Sequence, residues 1–248
     1  MSTVIKLKNV NFNNPALPVV DTSKHPAQVG LAAEYDMLTF DTATQLRDLS
    51  GNGKHATFNA TPTLSSYGWI ANGGKRAVTP LSSLGSNMSG FIVARVSALN
   101  YTDDRFMIAN WGGYTGGLLR TGGASGSKNF GWQMGGPDKL TSLSELVVQN
   151  EWALLYFYIG SGGASNLKNL TKGTVGTTPV ASGLTSDRAW VIGGGYDVSN
   201  ADTIASQWDL TNAEVAYCGF YNKVLTANQE AYLKDYITNK MLARGITV

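Results

Sequence analysis

An all-β fold with a two-sheet core is what this 248-residue sequence predicts, and three observations carry that expectation. Short apolar runs recur along most of the chain, separated by Gly, Ser and Asn. Glycine is abundant at 29 residues while charged residues make up only 15%, which suits many strands joined by tight turns rather than helices or disorder. Several runs are apolar on both faces instead of alternating cleanly, as strands enclosed between layers require. Chains of this length commonly form one sandwich domain whose core dispenses with disulfides.

Residues 1–30 stand apart. MSTVIKLKNVNFNNPALPVVDTSKHPAQ holds Pro15, Pro18 and Pro26, three of the seven prolines. Proline fixes φ and offers no amide donor, so this segment reads as an extended N-terminal arm or edge strand; an arm that orders only against a partner is the functional reading and a disordered tail the competing one. Residues 31–248 then form the sandwich domain. Its strand candidates are KHATFN, GWIAN, GFIVARVSAL, DRFMIANW, NFGWQMG, NEWALLYFYI, RAWVIGG and NAEVAYCGFYN. Only the end is helical, from about residue 226 to 244. Thr226 followed by Gln229 makes a capping box, in which each side chain satisfies a free backbone donor. Leu233, Ile237 and Met241 recur at helical spacing and give one apolar face. Arg244 and Gly245 supply the stop. That face is expected to pack on the sandwich or on a neighbouring subunit.

Charge and cysteine usage narrow the function. The net charge is +2 and no Lys/Arg cluster occurs, so a nucleic-acid partner gains no electrostatic support. No apolar run approaches membrane-spanning length, and MSTVIKLKNVNFNNP lacks the apolar centre of a signal peptide. The chain is therefore expected to be made in the cytoplasm and to insert in no membrane. Cys218, the one cysteine, sits in the apolar run AYCGFYN and reads as a buried structural thiol.

The stretch DLSGNGKHATF, Asp48 to Phe58, tests whether the chain carries catalytic or nucleotide chemistry. A phosphate loop needs G-x-x-x-x-G-K-[ST] leading into a helix. Here the glycine spacing is wrong and the following residues are strand-like. A glycosidase needs two carboxylates held across the sugar, yet Glu145 and Glu151 flank apolar sequence with no paired pattern. His25 and His55 are isolated in polar sequence, so no zinc cluster forms, and no G-x-S-x-G elbow exists. The expectation is a non-catalytic protein that requires no cofactor.

The same stretch carries a family resemblance. LAAEYDM, TQLRDLSGNGKHATFNATPTL, GFIVARVSAL, NEWALLYFYI, RAWVIGGG and NAEVAYCGFYNKVLTANQEAYL follow in an order that resembles concanavalin A-like, laminin-G-like domains over roughly residues 31–236. Glu214, Asn222 and Leu225 stand where that family repeats them. The resemblance implies a two-sheet antiparallel jelly-roll sandwich with a concave face available for ligands. The paired-carboxylate strand of its hydrolase branch is missing here. The polar arm and the ending YLKDYITNKMLARGITV resemble the versions found in bacteriophage virion and tail proteins. That implies a structural protein on the tail or capsid exterior, localised to the virion and possessing a lectin-like domain for host surface glycan. Its partners would be other virion proteins, through the arm and the helix, and a homo-oligomer fits the same picture. The alternatives are a bacterial carbohydrate-binding module and, with less support, a glycan hydrolase or lyase.

Glycan recognition asks for aromatic faces flanked by planar polar groups. Trp111 and Tyr114 sit among glycines, Trp132 and Gln133 fall on opposite faces of one strand, and Tyr196 and Asp197 share a loop. Core packing is the competing reading for Trp111 and Trp132. Trp69, Trp152 and Trp190 lie in denser apolar runs and read as core. Asp197, Asn200 and Asp202 form one Ca²⁺ candidate set, and Asp48 with Asn52 a second. A turn held by local backbone bonds is the competing reading for both sets, with Gly51 and Gly53 at positive φ.

Overall fold

A computed structural model describes residues 28–82, 84, 87–97, 105–112, 116–121, 129–134, 140–143, 145, 147–160, 164–176, 180–181, 187–197 and 203–248. The expected arm lies, save for its last three residues, outside the described residues. In chain order the strands begin with β1 (Leu31–Phe40), β2 (Gln45–Asp48), β3 (Ala56–Phe58), β4 (Thr63–Leu64), β5 (Trp69–Asn72) and β6 (Ala77–Val78). They continue with β7 (Met88–Val96), β8 (Arg105–Ala109), β9 (Gly117–Thr121), β10 (Phe130–Met134), β11 (Leu140–Ser142) and β12 (Trp152–Ile159). Next come β13 (Ala164–Asn169), β14 (Thr174–Val175), β15 (Val180–Ala181), β16 (Val191–Ile192), β17 (Gly195–Tyr196), β18 (Ile204–Ala205) and β19 (Thr211–Tyr221). One helix, α1 (Ala227–Leu242), closes the series.

All pairings are antiparallel. One layer runs β13-β12-β7-β19-β1. The facing layer runs β11-β10-β9-β8-β16-β6-β3. Strand β2 pairs with both β1 and β3 and so joins the layers along one edge. The chain is thus an all-β sandwich with a single described helix.

The two-faced apolar runs acquire a physical explanation here. In β7, Met88, Ile92, Ala94 and Val96 point into the core between the layers, while Phe91 and Val93 point outward. In β12 the inward set is Ala153, Leu155, Phe157 and Ile159, and the outward set is Trp152, Leu154 and Tyr156. Both sets are buried because α1 and the tail cover the outer face with Leu233, Ile237, Met241, Ile246 and Val248. Between the layers, Trp132 of the facing sheet lies 4.6 Å from Phe157 and 6.3 Å from Trp190 by ring centres. Cys218 is fully buried, and burial pushes its thiol well above the usual range, as an inert packing residue requires.

The helix is held by chemistry as well as by area. Its capping box forms as expected, with the Thr226 hydroxyl accepting from Gln229 N and Gln229 Oε1 accepting from Thr226 N. Lys168 Nζ reaches Glu230 at 2.7 Å, and Arg244 pairs with Asp36 of β1. Lys240 donates to the Tyr217 hydroxyl, which in turn donates to Glu34 Oε1 at 2.8 Å. Of the two placements open to the helix, packing on its own sandwich is therefore the observed one. Strands β9 and β13 have no counterpart among the expected segments. GLLRT follows directly on the glycine run GGYTGG, and ASNLKN begins within GSGGASN, so both starts read as turns rather than as strands.

Candidate functional site

The layer not covered by α1 presents its outer face differently. Alternation sends Leu119 of β9 inward and leaves Leu118 and Arg120 outward. Register then aligns Ala109, Leu118 and Gln133 in one row across β8, β9 and β10, and Phe106, Arg120 and Gly131 in the next. A bulge in β8 between Phe106 and Ile108 returns Ala109 to the outer face. Phe106, Ala109, Trp111 and Leu118 consequently form a small apolar patch, and Trp208 packs against it.

A short roof lies over this patch. The β17–β18 hairpin sits on β8 through Gly195, where a Cβ would stand 2.4 Å from Phe106 Cδ2. The 3-10 turn Ser206–Trp208 stacks its indole on Phe106, with centres 5.0 Å apart and planes 2° from parallel. Arg105 ties that turn down, donating to the Gln207 carbonyl at 2.8 Å and to Thr211 Oγ1 at 3.2 Å. Tyr196 N donates to the Trp111 carbonyl at 3.1 Å, and the Tyr196 hydroxyl donates to the Ala189 carbonyl at 3.1 Å. The Arg188 guanidinium stands 5.8 Å from the Tyr196 ring centre and donates to the Gly112 carbonyl at 3.1 Å. Burial raises the Tyr196 hydroxyl pKa, and Arg188 opposes that shift. Asp197 N donates to the Thr203 carbonyl at 2.7 Å, fixing the base of the loop between them.

The structure therefore brings Trp111, Tyr196, Asp197 and Gln133 to one layer but not as an open stacking surface. Trp111 is 4% exposed and Tyr196 8%; both back the site rather than face solvent. Trp132 is fully buried between the layers and takes the core reading. Gln133 lies on the opposite face from it, as alternation predicts, and is itself 5% exposed. Tyr114, Asn200 and Asp202 lie outside the described residues. Trp69, Trp152 and Trp190 are core, as expected.

The second cation set proves to be spent on its own loop. Asp48 Oδ1 accepts from Glu34 N and Ser50 N, and Oδ2 from the Ser50 hydroxyl and Lys54 N. Four donors occupy the four acceptor directions of the carboxylate, which leaves none for a metal. Asn52 donates through Nδ2 to the carbonyls of Leu31 and Ala32, at 2.9 and 3.2 Å. Gly51 and Gly53 have φ of 84° and 67°, the left-handed region that glycine enters without a steric cost. Among the described residues no group of three His, Cys, Asp or Glu side chains could hold a metal ion. Nor is any described helix long and apolar enough to cross a membrane.

Sequence reasoning did not identify Arg105, Arg120, Arg188 or Trp208 as parts of this surface. Trp208 carried a usable signal, since SQWDL places a lone indole among polar residues directly after a polar loop. The arginines carried none, because only strand register sets them beside the aromatics.

No family model matches the chain, and no curated protein matches it. Solved structures do. The botulinum neurotoxin serotype D binding domain superimposes with a TM-score of 0.61 at 12% identity, over 85% of this chain and 52% of that one. The receptor binding domain of the botulinum neurotoxin C/D mosaic serotype gives 0.62 at 11% identity, over 84% and 52%. Trypanosoma rangeli sialidase gives 0.62 at 12% identity, over 86% of this chain and 33% of that one. The chain thus spans about half of each toxin chain and a third of the sialidase. At these identities the likeness is one of fold: the chain shares the β-sandwich architecture found in the toxin binding domains and in part of the sialidase.

Proposed function

We propose that this chain is a non-catalytic recognition module on the exterior of a bacteriophage tail or capsid, whose lectin-like sandwich binds surface glycan. One observation carries the recognition reading: the two outer faces are unequal. One is sealed by α1, its ion pairs and the C-terminal tail. The other, backed by aromatic side chains, carries Arg120 on β9 and, beside Tyr196, Arg188 and Asp197. Planar polar groups on a fixed backing are what orient sugar hydroxyls. The toxin domains that share the fold are binding domains, which supports recognition as a use of this architecture.

The non-catalytic reading is supported by where the buried carboxylates go. Asp36 pairs with Arg244, Asp209 with Arg76 and Glu214 with Arg95, while Glu34 accepts from Tyr217. Each is committed to a partner on a neighbouring strand, loop or the helix rather than facing a cleft in pairs. The phage placement rests on the sequence resemblance. In this reading the N-terminal arm carries attachment to other virion proteins, and no cofactor is required.

A glycan array with the purified chain tests recognition, with Arg188→Ala expected to abolish or sharply weaken the signals from neutral glycans. A mass-spectrometric inventory of purified particles tests placement. Particles that never contain the chain overturn the virion reading, and glycan binding without particles supports a bacterial carbohydrate-binding module instead. Release of sugar products from a polysaccharide would overturn the non-catalytic reading.

A further inference from the structure

We propose a second ligand site, separate from the aromatic-backed face, that takes a carboxylate-bearing sugar unit. It is a cleft of ≈ 570 Å³ between the loop after β2, the start of β1 and the segment leading into β7. That volume falls in the range of small-molecule sites, roughly 300–1,000 Å³. Lys54, Ser82 and Asn222 line it, and none of their side chains bonds to another described residue. This contrasts with the rest of the loop, whose polar side chains are committed: Asp48 to four donors and Ser50 to Asp48.

The lining specifies the ligand class. Lys54 is the one charged residue among those that line the cleft, and no carboxylate accompanies it. An ammonium on the same cleft as an amide and a hydroxyl suits an anionic oxygen group. Asn52 also lines the cleft, and with Nδ2 engaged by two carbonyls it offers Oδ1 as an acceptor for a ligand hydroxyl. The buried side chains of Leu81 and Leu84 add an apolar wall for a ring face. A carboxylate, hydroxyls and an apolar ring face together describe an acidic sugar.

The site is preorganised. The Asp48 bonds fix the loop, the Tyr35 hydroxyl donates to the Lys54 carbonyl, and Asn222 N donates to the Gly30 carbonyl at 2.9 Å. Fixing the backbone that carries Lys54 and Asn222 before the ligand arrives lowers part of the ordering cost of binding.

The test is a calorimetric titration of the full chain with sodium D-glucuronate and, at matched ionic strength, with D-glucose. These probes share a ring and differ in the carboxylate. Glucuronate is expected to bind saturably and glucose at least about tenfold more weakly, the difference one charge-assisted bond supplies. Lys54→Met is expected to lose that discrimination while melting at the wild-type temperature, and Ser82→Trp to block both sugars. Arg188→Ala is expected to leave glucuronate binding unchanged, so failure of the aromatic-backed face and failure of this cleft are told apart. Equal binding of the two sugars, an unaltered Lys54→Met variant, or no saturable binding overturns the proposal.

Discussion

Replacing Gly195 with alanine is expected to loosen the roof of the aromatic-backed face and lower the melting temperature. The new Cβ would stand 2.4 and 2.9 Å from Phe106 Cδ2 and Cε2, and 3.4 Å from Ala109 Cβ. Carbon atoms rest at about 3.5–4.0 Å, so the ring or the hairpin must yield by more than an ångström. Phe106 has little room, being 3% exposed and stacked on Trp208 at 5.0 Å. Overpacking of this kind costs about 1–3 kcal/mol. For a chain of this size each kcal/mol lowers Tm by roughly 2–4 °C, so a fall of about 2–12 °C is expected. The reduced backbone freedom of alanine works the other way, by about 0.4–1 kcal/mol, and is smaller. Thermal denaturation followed by far-UV circular dichroism measures the shift, and the near-UV spectrum reports the Phe106–Trp208 stack. An unchanged or raised Tm with an unaltered near-UV spectrum would refute the close contact and the roof built on it.

Glu34 gives a pH signature. Burial raises its pKa above the ordinary 4.5, with Tyr217 and Lys240 opposing, so the folded state binds this proton more tightly than the unfolded one. Ionised Glu34 therefore subtracts stability above its folded pKa, and the deficit shrinks as pH falls toward 4.5. Glu34→Gln should be more stable than wild type at neutral pH and lose that advantage on acidification; a constant difference across urea midpoints at several pH values counts against this. Asp48→Asn places an amide against donors and should cost about 1–3 kcal/mol, with no recovery on adding Ca²⁺. A Ca²⁺-dependent rise in wild-type Tm that the variant lacks would return the cation reading to this loop. Thr226→Ala removes half of the capping box and should cost about 1 kcal/mol in chemical denaturation, while Thr226→Ser should restore most of it.

Where a structural feature depends on neighbours in sequence, the chain announced it. Thr226 and Gln229, the stripe Leu233, Ile237 and Met241, and the positive-φ pair Gly51 and Gly53 all emerged as read. Each depends on spacing within a turn or two of backbone. The two-faced apolar runs around Phe91 and Leu155 were equally legible, because enclosure on both sides leaves no room for polar alternation. Trp111 and Trp132 were not separable, since both sit in glycine-rich surroundings. Their fates are set by register: β10 turns Trp132 toward Phe157, while Trp111 follows β8 onto the outer face and meets Tyr196. Pairing of strands distant in sequence leaves no local trace, and β9, on which Arg120 lies, follows so directly on a glycine run that it did not register as a strand.

The carboxylates show most clearly what such long-range pairing does to a functional reading. In sequence, nothing local shows what Asp36, Asp209 and Glu214 pair with. In the fold, Arg244 reaches Asp36, Arg76 reaches Asp209 at 2.8 Å, and Arg95 reaches Glu214 at 2.6 Å. Removing a partner from such a buried pair leaves an uncompensated charge, a cost of about 3–5 kcal/mol. An acid held this way cannot exchange its guanidinium for a metal or a substrate proton without losing part of the fold. Among the described residues, the Lys54 ammonium, the Ser82 hydroxyl and the Asn222 amide that line the cleft take no part in such pairs. We propose that these groups bind and orient a ligand, a role that leaves the ion pairs of the sandwich intact.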